Sequence, residues 1–149
     1  MIYKATKNDI DILVGLAIVM WSEHTLGDLK NEFLEIIDSN DAVFYIITKE
    51  GQPVGFAQCQ LRYDYVEGTE SNPVGYLEGI YIQEEYRNNG YAQKLLLECE
   101  KWALEKGCQE FASDCELSND VSLKFHLNMG FTEANRIICF TKKLLIPND

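Results

Sequence analysis

The stretch "VGYLEGIYIQEEYRNNGYAQKLLLECEKWALEKG", residues 74–107, constrains the fold more than any other. It opens with a β-rich run, crosses a polar turn containing Gly90, and continues as a long helical pattern closed by Gly107. A strand, a turn and a helix in that order aim the unpaired backbone N–H groups of the first helical turn at the preceding loop. A phosphate or pyrophosphate could be cradled there, with Arg87 adding a charge-assisted contact. The spacing is Arg-x-x-Gly-x-Ala, which is neither Gly-x-x-x-x-Gly-Lys-Ser/Thr nor Gly-x-Gly-x-x-Gly. A P-loop nucleotidase or a dinucleotide-binding domain is therefore disfavoured. Taken alone, such a stretch is more often a plain helix cap.

The flanking sequence supplies the other layers. Residues 2–6 read as a short strand, and "TKNDIDILVGLAIVMW" as a helix capped by Thr6 or Asn8, with apolar residues at 13, 16, 17 and 20. "DLKNEFLEIIDS" is an amphipathic helix with Leu29, Phe33, Ile36 and Ile37 on one face. "AVFYIITKEGQPVGFAQCQLRYDY" reads as a hairpin turning at Gly51. After residue 107, "CQEFASDC" is a strand, "SNDVSLKFHLNMG" a short helix capped by Ser118 or Asn119, and "ANRIICFTKKLL" a last strand or pair of strands. The order β-α-α-β-β-β-α-β-α-β predicts an α/β (α+β) fold with a mostly antiparallel front half. No repeat or Pro/Gly/Ser-rich linker interrupts it, so residues 1–149 are expected to form one domain.

Charge narrows the ligand. Lys+Arg 13 against Asp+Glu 24 gives a formal charge of −11, with no basic stripe, so nucleic-acid binding is not expected. "ILVGLAIVMW" is about half of the ~20 apolar residues that span a bilayer. With no signal pattern at the N-terminus, a cytoplasmic protein without membrane partners is expected. Cys59, Cys99, Cys108, Cys115 and Cys139 never form Cys-x-x-Cys. Neither a metal site nor a disulfide framework is favoured, and the thiols are expected buried and free.

The order of elements resembles the GNAT superfamily of acyl-CoA-dependent N-acetyltransferases over nearly the whole chain. "RNNGYA" stands where that family has its Arg/Gln-x-x-Gly-x-Gly/Ala pyrophosphate loop, and "SNDVSLKFHLNMGF" resembles its second signature. "MWSEHT", "RYDYVEGTESNPVGYLEGIYI", "EFASDCELSND" and "HLNMGFTE" narrow the resemblance to chromosomal-type aminoglycoside 6′-N-acetyltransferases. It implies a mixed, mostly antiparallel central sheet with splayed strands 4 and 5, flanked by helices. It also implies acetyl-CoA as co-substrate, a cationic small-molecule amine as acceptor, direct transfer in a ternary complex, and a homodimer. "RIICF" is one possible dimer contact.

The resemblance assigns sites as well. The backbone of Ile80, Tyr81, Ile82 and Gln83 would face acetyl-CoA, and the N–H groups near Ile80 to Ile82 would supply an oxyanion hole. Arg87, Asn88, Asn89, Gly90, Tyr91 and Ala92 would hold its pyrophosphate, and Asn119 would reach its arm. An amine must lose a proton before it attacks. Glu78 is the first candidate for that proton and Asp114 the second. Trp21, His24, Tyr65 and Glu133 would join these two around the acceptor, with Asp64, Glu67 and Glu70 as further nearby carboxylates. Asn135 stands where the resemblance leads one to expect an acid. His126 occupies the position of the family's usual Tyr general acid, so His126, Tyr65 and solvent all stand as sources of the thiolate's proton. Two other readings compete: an acceptor that is a polyamine, an amino sugar or a protein N-terminus, and a non-catalytic acyl-CoA-binding module.

Overall fold

The computed structural model of the chain describes residues 1–148. They fall into two compact units, Met1–Asp114 and a second beginning at Cys115. The first unit contains a five-stranded sheet in the order β1-β2-β3-β4-β5, with β1 Ile2–Lys4, β2 Ala42–Lys49, β3 Gln52–Arg62, β4 Val74–Ile82 and β5 Phe111–Ala112. Every neighbouring pair is antiparallel except β4 and β5, which run parallel. Its helices are α1 Ile10–Met20, α2 Leu26–Ile36 and α3 Tyr91–Glu105.

The middle of β2 and the first half of β3 are buried or half-buried on both faces, which is why residues 43–47 and 54–57 are apolar runs. Side-chain alternation sends Phe44, Ile46 and Phe56 into one core with Leu13, Leu16 and Ala17 of α1 and Leu29 and Phe33 of α2. Leu95, Leu96 and Cys99 of α3 are also fully buried. The N-terminal helix begins with a 3-10 turn at Lys7–Asp9, where the Asn8 N–H donates to Thr6 Oγ1 at 3.3 Å and the Thr6 N–H to Asp9 Oδ2 at 2.9 Å. Thr25 caps α2, accepting from the Asp28 N–H at 3.1 Å, so that helix starts two residues before Asp28.

The splay expected between strands 4 and 5 is present. β5 pairs with β4 only at Gly75↔Phe111 and Tyr76↔Ala112, whereas β4 continues beside β3 as far as Ile82↔Gly55. The later part of β4 therefore has an open edge within this unit.

The second unit contains α4, Asp120–Asn128, whose first turn is closed by Asn119 Oδ1 accepting from the Ser122 N–H at 3.1 Å. Gly130, at φ 93, ends it. The strand or strands expected over 134–145 are not formed among the described residues. A strand needs a ladder partner, and this stretch has none in its own unit. Its Phe140 is 87% and its Leu145 97% exposed. The cysteines divide as well: Cys59, Cys99 and Cys108 are buried, but Cys115 and Cys139 are exposed, against the expectation of uniform burial.

Candidate active site

Glu78 owes its position to an irregularity in β4. Gln58 pairs with Gly79 and Cys59 with Leu77, so Glu78 is an extra residue with no partner across β3. Such a bulge bends the strand and re-aims the side chain it carries. The Glu78 carboxylate reaches a cleft of about 270 Å³ lined by Trp21, Glu23, His24, Leu29, Glu32, Gln58, Gln60 and Glu78. That volume lies near the lower end for small-molecule sites.

Three of the sequence-predicted acceptor residues, Trp21, His24 and Glu78, thus share one cleft. Trp21 ends α1 and packs edge-on to Phe33 and Phe56, at centroid separations of 6.3 and 6.2 Å. The next residue in β4 after Glu78 must be small for that ring to fit. A Cβ on Gly79 would lie 2.7 Å from two Trp21 ring carbons and 2.9 Å from Met20 Cε. Trp21 is therefore both core and cleft wall. His24, partly exposed, lies 3.5 Å from Glu23.

Glu23 and Glu32 were missed by sequence reasoning. Both left a signal: Glu23 stands between Trp21 and His24, and Glu32 lies one helical turn from Leu29, at the border of the buried face of α2. Gln58, 5% exposed, donates from Nε2 to Gln60 Oε1 at 3.1 Å and puts a polar floor beneath the carboxylates. A carboxylate ~4 Å from an ammonium is worth about 4 kcal/mol at an effective dielectric of 20. Three carboxylates, a Trp face and two amides suit a hydroxylated polycation.

A second set of contacts joins Glu78 to Asp114. Arg62, at the end of β3, donates from Nε to Glu78 Oε1 at 3.0 Å and from Nη2 to Oε2 at 2.9 Å. Its guanidinium lies 3.4 Å from the centroid of the Tyr76 ring, and the Tyr76 hydroxyl donates to Asp114 Oδ2. Burial and the Asp114 hydrogen bond raise the Tyr76 hydroxyl well above its ordinary range. Burial disfavours the Arg62 cation, but its bonds to Glu78 outweigh that and hold it above its usual value.

On the other side of Gly79 the strand offers backbone. The Gln83 N–H donates to Val54 O at 2.9 Å, so antiparallel alternation turns the N–H groups of Ile80 and Ile82 away from β3, toward the open edge. Arg87 Nε donates to Ile82 O at 2.8 Å and the guanidinium lies 5.6 Å from the Tyr81 ring, tying the turn to the strand end. Asn88, at φ 64, and Gly90, at φ 78, are both left-handed, the alternation that curls successive N–H groups into an anion-sized concavity. Asn89 Nδ2 donates to Tyr86 O and Arg87 O. The first intrahelical bond of α3 runs from the Lys94 N–H to Gly90 O, which leaves the N–H groups of Tyr91, Ala92 and Gln93 without helical partners. These residues fit a CoA pyrophosphate and its pantetheine arm through backbone donors.

The other predicted residues divide between the two units. Tyr65 is 79% exposed, gives its hydroxyl to Glu67, and is absent from the cleft wall. Asp64, Glu67 and Glu70 do not line the cleft either. Their loop is fastened by Glu110, which accepts from the Glu70 and Ser71 N–H groups at 2.8 Å. In the second unit, Glu133 pairs with Arg136, which holds its carboxyl below the usual range. Asn135 Oδ1 accepts from the Arg136 N–H at 2.8 Å. His126 Nδ1 lies 2.7 Å from Ser122 O and its ring packs 5.0 Å from Phe131.

A parallel β4–β5 pair that splays beside a left-handed turn and a helix N-terminus defines an acyl-CoA-dependent acetyltransferase architecture. The chain belongs to the acetyltransferase (GNAT) family, whose model matches residues 11–131. It is 37% identical over 145 residues to the aminoglycoside N(6′)-acetyltransferase type 1 of Serratia marcescens, covering 97% of this chain and 99% of that one. Identity to the Salmonella typhimurium protein of the same name is 33% over 142 residues, 95% and 98% of the two chains. Among solved structures, AAC(6′)-Iy in complex with the bisubstrate analogue CoA-S-monomethyl-acetylneamine superposes with a TM-score of 0.92 at 33% identity, over 97% of this chain and 98% of that one. AAC(6′)-IG from Acinetobacter haemolyticus superposes with the same TM-score at 31% identity, over 97% and 99%. The family and fold expected from the sequence are borne out.

Proposed function

We propose that this protein transfers the acetyl group of acetyl-CoA to the 6′-amine of aminoglycosides, with both substrates bound at once. The observation that carries the reading is the cleft of Trp21, Glu23, His24, Glu32 and Glu78 beside the open edge of β4. The names and ligands of the full-length relatives support it. Acetyl-CoA supplies an activated thioester, and the amine nitrogen forms a bond to its carbonyl carbon as the carbon–sulfur bond breaks. The N–H groups of Ile80 and Ile82 stabilise the carbonyl oxygen as it gains negative charge. Glu78 takes the proton that the amine sheds, directly or through one water, and Asp114 holds an ammonium of the acceptor. Arg87 to Ala92 hold the pyrophosphate.

We read residues 1–149 as one cytoplasmic acetyltransferase domain, supported by a family match that runs through both units. No helix among the described residues is long and apolar enough to cross a membrane. We read the chain as a homodimer joined through the second unit. There, exposed Ile137, Ile138, Phe140, Leu144, Leu145 and Ile146 accompany Arg136, Lys142 and Lys143 on an otherwise acidic chain. Sedimentation of the intact chain tests this, and a monomer at micromolar concentration would refute it.

The deciding assay measures free CoA released with kanamycin or tobramycin, beside spermidine, glucosamine and an N-terminal peptide. Turnover is expected with the 6′-amino aminoglycosides and not with the others. CoA release with none of the aminoglycosides would sink the assignment.

A further inference from the structure

A cleft built to hold a polycation has no electrostatic reason to keep an arginine on one of its carboxylates. Arg62 nevertheless spends two donors on Glu78, one to each oxygen, at 3.0 and 2.9 Å. Its side chain is 41% exposed and that of Glu78 is 20% exposed, so the pair sits at the cleft edge without being fully solvated. The bulge that turns Glu78 toward the cleft also leaves it without a register partner directly across on β3. A carboxylate on such a residue has several rotamers open to it, and something must choose one.

We propose that Arg62 is a positioning residue that fixes the Glu78 carboxylate for proton transfer and couples it to Asp114. The planar guanidinium is suited to this where an ammonium is not. Its fork matches both carboxylate oxygens, and its flat face lies on the Tyr76 ring, 3.4 Å from the centroid. Tyr76 is buried and its hydroxyl is given to Asp114, so one rigid plate orients both carboxylates. Arg62 thereby divides the labour among the acids. Glu78 is held for the reacting amine, and Glu23 and Glu32, which line the same cleft, take the ammonium groups that do not react.

This inference rests on the function proposed above, and its test separates the two. Arg62→Ala, Arg62→Lys, Glu78→Gln and the Arg62→Ala/Glu78→Gln pair are assayed by steady-state CoA release, with thermal unfolding recorded for each. Arg62→Ala is expected to lower kcat by about tenfold or more while the aminoglycoside KM moves less than about threefold. Arg62→Lys keeps the charge but loses the fork, and is expected to recover less than half of the lost activity. The double variant is expected to be no slower than Glu78→Gln alone, because Arg62 acts through Glu78. Added guanidinium at low millimolar concentration is expected to restore part of the Arg62→Ala rate. Multiplying losses in the double variant, or a full-rate Arg62→Ala beside an impaired Glu78→Gln, overturns the positioning role and leaves the acetyltransferase reading intact. If Arg62→Ala unfolds below the assay temperature, Arg62→Lys at wild-type kcat overturns it too. Absence of turnover in the wild-type chain removes the acetyltransferase reading, and the positioning role falls with it.

Discussion

In the function proposed above, the two ends of β4 handle opposite charges with different parts of the same polymer. Up to Glu78 the strand works through side chains: a bulge turns one carboxylate into a cleft that Glu23 and Glu32 complete. Past Gly79 it works through its backbone, with Ile80 and Ile82 N–H groups on an open edge and a left-handed turn at Asn88 and Gly90 leading into α3. On that proposal, the contrast reconciles an anion site with a chain of net charge −11. Backbone donors are fixed dipoles that need no basic surface, so the acidity can be given wholly to the other ligand.

The sharpest way to break this division is Glu78→Gln. We expect kcat/KM for the aminoglycoside to fall by tenfold or more, at least about 1.4 kcal/mol, with CoA affinity by calorimetry unchanged. Equal loss on both substrates would mean that the two ends are not independent.

Gly79→Ala tests the junction between them. The new Cβ would meet the Trp21 ring at 2.7 Å and Met20 Cε at 2.9 Å, so something must shift. Overpacking of this kind costs about 1–3 kcal/mol, measurable by urea denaturation, and should raise the aminoglycoside KM by moving Trp21.

Gly90→Ala tests the backbone end without a steric clash, since nothing lies within 4 Å of the added Cβ. At φ 78 the left-handed conformation alone costs an L-residue about 1–2 kcal/mol. CoA binding should weaken while the aminoglycoside KM stays put, the reverse of Gly79→Ala.

Glu32→Gln removes an acid from the cleft that Glu78 also lines. The expected effect is under about 1 kcal/mol, a rise of up to fivefold in aminoglycoside KM at low ionic strength that shrinks as salt is added. A salt-independent change would point to lost packing against Leu29 instead.

The smallest effect is a pH signature. The Tyr76 hydroxyl is held well above its ordinary value of 10.0 by burial and by Asp114. A raised folded-state value contributes stability that is fully present below pH 10 and is lost as pH rises beyond it. Tyr76→Phe, which keeps the ring beneath Arg62, should flatten that alkaline decline in thermal scans.

Particular residues show how much of this was legible in the chain. The strand–turn–helix at 74–107, the Thr6 cap and the hairpin around Gly51 follow from local chemistry, and the structure has them where the sequence puts them. Trp21, His24 and Glu78 were found through resemblance and share one cleft. Arg62 was invisible because its significance lies in a bulge sixteen residues away, and a register shift leaves no mark in residue periodicity. Asp64, Glu67 and Glu70 looked equally suited to a cation, yet Glu110 anchors their loop away from the cleft wall. The C-terminal residues 134–145 have strand composition but no ladder, because β-structure depends on a partner that composition cannot supply.

By itself the sequence determined most of the elements, the glycine turn ahead of α3 and the excess of acid, since each depends on neighbours a few residues apart. Only the tertiary structure decided which acids line the cleft, which one of them Arg62 holds, and which are turned to solvent. Side chains separated by tens of residues meet through register, bulges and packing, and those long-range contacts select a few carboxylates from many that are chemically alike.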